Sequence, residues 1–189
     1  NYNFSIYHDD LDGSRQITRH LISLGHKRIA YLGNANSGRT TQDRATGFIA
    51  EMDEHGLSVP KEYIHHVAGG DPELGMDALG HFLALETPPS AIFCFNDMLA
   101  VGVLKGCKER GLDVPRQLSV VGFDNIAYSA FTTPSLTTFD QPKRDIGREA
   151  ARLLIRGLGN PLEPVMLAIL TAPHLVHPTF IQALAQTTK

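Results

Sequence analysis

Residues 91–122 read AIFCFNDMLAVGVLKGCKERGLDVPRQLSVVG, and this stretch decides the fold. Its first five residues, Ala91 to Phe95, are apolar throughout, as in a strand covered on both faces. Asn96 stands at the position of a helix cap, residues 97–110 carry the helix, and Gly111 ends it. Residues 118–122 then return as another apolar strand. Strand, helix and strand in this order form a parallel crossover unit.

The same alternation extends upstream. Residues 4–7 read as a short strand leading into Asp9 and Asp10. Ile17, Leu21 and Leu24 recur at helical spacing, so a helix is expected over 13–24, with Gly25 at its left-handed end. A strand over 28–32 follows, then a small and polar loop over 33–40. The next helix is expected over 41–55, with Thr40 and Asp43 as a capping box. Its apolar stripe is Ala45, Phe48, Ile49 and Met52, and Gly56 stops it. Residues 63–67 make a further strand. Asp71 then caps a helix with Pro72 at its first position, burying Leu74, Ala78, Leu79, Phe82 and Leu83. The regular repeat predicts an α/β fold, a parallel sheet with helices on both faces. Downstream the period is lost over 123–134. A strand is expected over 135–139, a helix over 143–156, a turn at Gly157–Pro161, and short strands over 165–170 and 175–177.

Composition narrows the function. The 189 residues carry 17 Lys and Arg against 20 Asp and Glu, a net charge of −3, with no basic run. A segment of this charge lacks the electrostatic footprint needed to grip nucleic acid by itself. Cys94 and Cys107 make neither a disulfide framework nor a metal spacing, so both are read as reduced thiols. No signal peptide or transmembrane run is visible. The chain opens at Asn1 without Met and is read as a piece of a longer protein.

In an open parallel sheet, ligands bind beyond the carboxyl ends of the strands. The polar residues following each strand are therefore the candidates. After the 28–32 strand come Asn34, Asn36, Ser37, Arg39, Thr40 and, in the first turns of the helix, Arg44. After 63–67 come Gly69, Gly70 and Asp71. Asn96 and Asp97 follow 91–95, and Asp124 and Asn125 follow 118–122. Arg44 offers a fork of donors, Asp124 an acceptor and Asn96 both, the mixture that a polyhydroxylated ligand needs. Asn96 has capping as an equal alternative role, and Arg39 is read as solvated.

Motifs of catalysis fail one by one. Gly33 to Thr40 nearly matches a Walker A loop, but Arg39 stands where the motif requires Lys. The Asp9, Asp10 and Asp12 cluster lacks the downstream Glu of a calcium loop, since Arg19 occupies that place. Helix start and dipole account for these acids. His65 and His66 point to opposite faces of a strand, and His174 and His177 have no third ligand. There is no nucleophile elbow and no carboxylate pair for acid–base work. No catalytic residue, metal or cofactor is expected.

The order of motifs carries a resemblance. His20-Leu21-Ile22 with Leu24-Gly25-His26-Lys27-Arg28-Ile29-Ala30 is similar to an HLI-x-LGH-[KR]-[RK]-IA segment. Arg44-Ala45-Thr46-Gly47-Phe48 matches R-x-x-GF, and Pro89 to Asp97 resembles PTAIFCAND. Arg110 to Pro115 followed by Leu118 to Asn125 resembles RGL-x-VP-x-x-(I/L)SVVGFD-[DN]. Pro134 to Thr138 with Gln141-Pro142 resembles PPLTT-x-x-QP. From about Asp9 to His177, the chain resembles the effector-sensing part of lactose-repressor/galactose-repressor (LacI/GalR) transcription regulators.

That resemblance implies the periplasmic-binding-protein-like type I fold, two α/β lobes around a cleft. Residues 1–125 would be the C-terminal lobe, 126–162 the returning strand and helix of the N-terminal lobe, and 163–189 tail strands. The first half of the N-terminal lobe, the hinge helix and the helix-turn-helix would lie outside this chain. Operator DNA would be bound only through that helix-turn-helix. By matching motif, the ligand residues are Arg44, Asn96, Asp124 and Gln141, with Thr40 as a further candidate. The ligand would be a small polar effector such as a sugar, and the protein cytoplasmic, with no membrane partner. A homodimer would form through C-lobe helices over 74–85 and 98–107. Three positions depart from the family, the mildest being Asn125 after Asp124. Gly70 stands where many relatives place an aromatic ring, leaving Phe95, Phe123, Tyr128 and Phe131 as possible platforms. Leu175-Val176-His177-Pro178-Thr179 lacks the Arg of a V-x-R-x-S/T pattern. The alternative reading is a secreted sugar-binding protein for transport or chemotaxis, and the LGHKRIA segment favours the regulator. An enzyme would need a nucleophile–base set, which the sequence lacks.

Overall fold

A computed structural model describes residues 6–159, 168–170 and 175–176. Along the chain run β1 (Ile6–His8), α1 (Asp10–Ser23), β2 (Ile29–Asn34) and α2 (Arg39–Glu54). Then come β3 (Ile64–Val67), α3 (Pro72–Leu83), β4 (Ala91–Cys94), α4 (Asp97–Glu109) and β5 (Ser119–Val121). The last elements are β6 (Thr138–Phe139), α5 (Lys143–Gly159), β7 (Ala168–Leu170) and β8 (Leu175–Val176). Four strands form one parallel sheet in the order β3-β2-β4-β5.

The wholly apolar strands bury both faces, as expected. Tyr31, Phe93 and Val121 pack beneath α1 and α2 against Ile17, Leu21, Phe48 and Met52. Ala30, Ile92, Cys94 and Val120 face Leu79, Phe82, Ala100 and Val103 of α3 and α4. A fully buried side chain such as Phe93 contributes roughly 1.5–3 kcal/mol. Helices on each face also touch closely. A Cβ on Gly102 would lie 1.8 Å from the Pro72 carbonyl oxygen, and one on Gly75 2.1 Å from that of Leu99. Only glycine permits α3 and α4 to approach so far.

Strand order locates the binding crevice. From β2 the chain steps outward to β3 through α2 on one face. It then recrosses through α3 on the other face to reach β4. The carboxyl ends of β2 and β4 are therefore the switch point, the place where open parallel sheets bind their ligands.

Several element boundaries differ from the sequence expectation. Helix α1 starts at Asp10, three residues early, because the Asp9 carboxylate accepts from the Asp12 amide at 2.9 Å. Helix α2 starts at Arg39 with Gly38 (φ +55°) as its cap, so Thr40 lies inside the first turn. The Thr40–Asp43 box does not form, since Asp43 is held by Arg39 at 2.9 Å. Pro72 opens α3 as expected, but Asp71 makes no capping side-chain bond. The strand expected over 135–139 narrows to β6, preceded by a single parallel bridge from Val121 to Thr137. Strand β1, which the sequence groups with residues 1–125, stands outside the four-stranded sheet. It pairs in parallel with β7, and α5 packs on both. Strand β6 pairs antiparallel with β8. The rest of the expected tail strands, with His174 and His177, lies outside the described residues.

Cys94 and Cys107 are both free and buried. Among the described residues no helix is long and apolar enough to cross a membrane, and no group of three or more His, Cys, Asp or Glu residues could hold a metal ion.

Candidate functional site

Arg44 projects from the second turn of α2 into the switch crevice, 2% exposed. Its Nε donates to Asp10 Oδ1 at 2.6 Å, one Nη to the Phe95 carbonyl, and the other to Asp124 Oδ1 at 3.4 Å. Three of the guanidinium's five N–H groups are engaged this way. The rings of Phe123 and Phe95 lie at 3.7 and 4.5 Å from its central carbon, sandwiching the cation. One side chain thus joins the start of α1, the end of β4 and the turn after β5.

Asp10, which the sequence presents as a helix-start acid, is the neighbour of Arg44 in this group. It is 4% exposed, and His8 Nε2 lies 2.9 Å from its Oδ1. Burial pushes its carboxyl upward, but the His8 hydrogen bond and the Arg44 charge outweigh this and hold it below the ordinary value. The signal available was its place directly after a strand, the criterion applied to the other loops.

Asp124 sits in a left-handed turn, with φ of 115° at Asp124 and 49° at Asn125. Asp and Asn visit such angles more readily than other non-glycine residues, and here their neighbours hold them there. Asp124 N donates to the Phe139 carbonyl at 2.9 Å, and Asn125 N to Thr138 Oγ1 at 3.1 Å. Asn125 Nδ2 donates to Asp140 Oδ1 at 3.0 Å. Ile126 N and Thr138 Oγ1 both donate to the buried Asp97 carboxylate, at 2.9 and 2.5 Å. Burial pushes Asp97 up to about 6 against these two hydrogen bonds. Gly122 makes room for it, because a Cβ there would lie 2.2 Å from Asp97 Oδ1. Asp97, placed by the sequence among the polar candidates after a strand, is thus a support beneath the turn.

Gln141 Nε2 also donates to Asp124 Oδ1. Arg44, Asp124 and Gln141 are therefore one connected group, with the Asp124 side chain 28% exposed and Arg44 only 3%. Burial raises the Asp124 carboxyl, and the Arg44 charge pulls it back.

Asn96 and Thr40 are not joined to this group by hydrogen bonds. Asn96 Oδ1 caps α4 by accepting from Leu99 N at 2.8 Å, and its Nδ2 donates to the Gly70 carbonyl at 3.2 Å. The capping role is thus realised, and it leaves Asn96 at the crevice one residue beyond Phe95, whose carbonyl Arg44 holds. A Cβ at Gly70 would lie 2.5 Å from Asn96 Nδ2, so a ring there would need the Asn96 side chain to move. Thr40 is half-buried in the first turn of α2, and its neighbour Thr41 bonds the Asn34 carbonyl instead. The suggested aromatic platforms divide into two pairs. Phe95 and Phe123 are buried against Arg44, while Tyr128 and Phe131 are exposed on the turn after β5.

Chemically, the crevice offers a partly exposed carboxylate oriented by a buried cation and a carboxamide. It can accept hydrogen bonds from a ligand's hydroxyl or amine groups. The group holds no nucleophile poised against a base.

A family profile described as "Periplasmic binding protein-like domain" matches residues 18–176. The chain is 37% identical over 150 residues to the HTH-type transcriptional repressor PurR of Actinobacillus pleuropneumoniae, covering 79% of this chain and 44% of that protein. It is 37% identical over 153 residues to the HTH-type transcriptional repressor CytR of Escherichia coli, covering 80% and 44%. Among solved structures, a LacI family transcriptional regulator from Enterococcus faecium with bound ribose superposes with a TM-score of 0.82 at 26% identity. That match covers 97% of this chain and 66% of the other. The chain thus spans less than half the length of these curated relatives.

Proposed function

This chain belongs to the periplasmic binding protein-like family, in the form carried by LacI-family regulators, and on that premise we propose that it is the effector-sensing part of a DNA-binding transcriptional repressor. It binds a small polyhydroxylated molecule of the sugar or nucleoside class and releases it unchanged. Arg44, Asp124 and Gln141 are the central ligand group, with Asn96 and Thr40 at its margin. The observation that carries this reading is the connected Arg44–Asp124–Gln141 group, whose carboxylate stays partly exposed at the switch point of the sheet. A buried hydroxyl left without a partner costs roughly 1–3 kcal/mol, so such a site selects by satisfied hydrogen bonds.

The signal passes to DNA as a shift between lobe arrangements, which a ligand can drive only through its differential affinity for them. The DNA-binding unit lies outside this chain, and the protein works in the cytoplasm. A homodimer forms through α3 and α4, where Met98 is 38% exposed. The test is a thermal-shift panel of pentoses, hexoses and nucleosides on the intact effector-binding domain. A true ligand at a hundred times its Kd stabilises the protein by about 2.7 kcal/mol. Asp124→Asn should abolish the shift. A panel in which nothing raises the melting temperature, or in which Asp124→Asn keeps the full rise, would defeat the reading.

A further inference from the structure

Lys143 is the first residue of α5, where a cation meets the positive end of the helix dipole. A placement that breaks a local rule calls for a compensating contact. The compensation lies outside the helix. Lys143 Nζ donates to the Asp124 carbonyl at 2.6 Å, to the Asn125 carbonyl at 3.2 Å and to Asp140 Oδ1 at 3.2 Å. Asp124 and Asn125 are the two non-glycine residues of positive φ among the described residues. The ammonium therefore closes on the carbonyls of the strained turn itself. Amide and side-chain bonds hold that turn from the β6 and α4 side, and Lys143 holds it from α5, which packs on β1 and β7.

We propose that Lys143 is a positioning residue for Asp124. It locks the left-handed turn that aims the carboxylate at Arg44 and the ligand, and it ties that turn to α5. This inference rests on the ligand-binding reading above for its functional meaning, but the lock itself is a property of the unliganded protein. The sequence gives Lys143 no role beyond helix start.

The experiment uses the intact effector-binding domain that contains this chain, with Lys143→Met and Lys143→Arg. Backbone hydrogen exchange is followed at Asn125 and Ile126, together with the thermal shift produced by D-ribose. Lys143 is half-exposed, so both variants should fold, which an unchanged melting temperature within a few degrees would verify. Loss of a charge-assisted hydrogen bond should speed exchange at the two amides by about tenfold or more in the Met variant. Amides of β2 and β4 should keep their rates. The Arg variant should retain most of the protection, and the D-ribose shift should shrink in the Met variant while Asp124 is intact. Exchange unchanged in Lys143→Met, or accelerated equally in Met and Arg, overturns the proposal. An absent D-ribose shift in the unsubstituted domain counts against ribose as effector and leaves the exchange result to decide on Lys143.

Discussion

Arg44, a ligand group in the proposed site, is also a structural keystone. It neutralises Asp10 and Asp124 and is itself almost entirely enclosed. Removing one partner of a buried charge pair leaves the other desolvated and unpaired, at a cost of about 3–5 kcal/mol. Arg44→Met is therefore expected to lower stability by that amount in urea titration, whether or not ligand is present. A loss below about 1 kcal/mol would show that Asp10 and Asp124 do not depend on it. Two members of this group were legible from their places after strands, Arg44 and Asp124. Gln141 was legible only through the family motif. Asp10 carried the same signal as Arg44 and Asp124, but three carboxylates in four residues before Gly13 look like an ordinary helix start and masked it. What singles it out is a guanidinium arriving from 34 residues away, which no local pattern encodes.

At the scale of elements, the apolar strands and helix stripes were readable because burial imposes a period. Caps were less so. Asn96 caps α4 as its sequence suggested, whereas Thr40 does not cap α2, because Gly38 and the Arg39–Asp43 pair shift the helix start forward. Cap chemistry depends on one dihedral, and several neighbouring residues can supply it. The close contact of α3 with α4 was likewise invisible, since glycines within a helix read as weak helix formers rather than as a crossing point. Gly102→Ala tests this contact. Its methyl group would press on the Pro72 carbonyl, so the helices must separate. The expected cost is about 1–3 kcal/mol, read as a lowered thermal midpoint. Gly147→Ala in α5, where a Cβ meets nothing within 4 Å, should not show it.

At the scale of the molecule, the parallel sheet and its two covered faces followed from the repeat of strand and helix. The strand order and the β1–β7 and β6–β8 pairs did not, because pairing across long separations leaves no periodic trace. One whole-molecule property follows from His26. It is 1% exposed, and its Nδ1 lies 2.9 Å from Ser90 Oγ, bracing the starts of β2 and β4. Burial lowers its pKa from 6.5 to about 4. The folded protein then binds fewer protons than the unfolded chain between these values. The His26 contribution is complete above pH 6.5, falls as the pH drops towards 4, and levels off below. The loss should reach about 3 kcal/mol. Chemical denaturation at pH 7 and pH 4.5 would measure it, and His26→Gln should flatten the profile.

The pairing of β1 with β7 also sets the order in which the molecule can be completed. Ile6 faces Ala168 across that pair, whereas all four strands of the main sheet are present once Val121 has been made. On the ribosome, the four strands of the main sheet are complete while β1 still waits for β7, which is made after them. The crevice floor belongs to the early part. Its outer tie, through Lys143 and α5 to the β1–β7 pair, belongs to the late one.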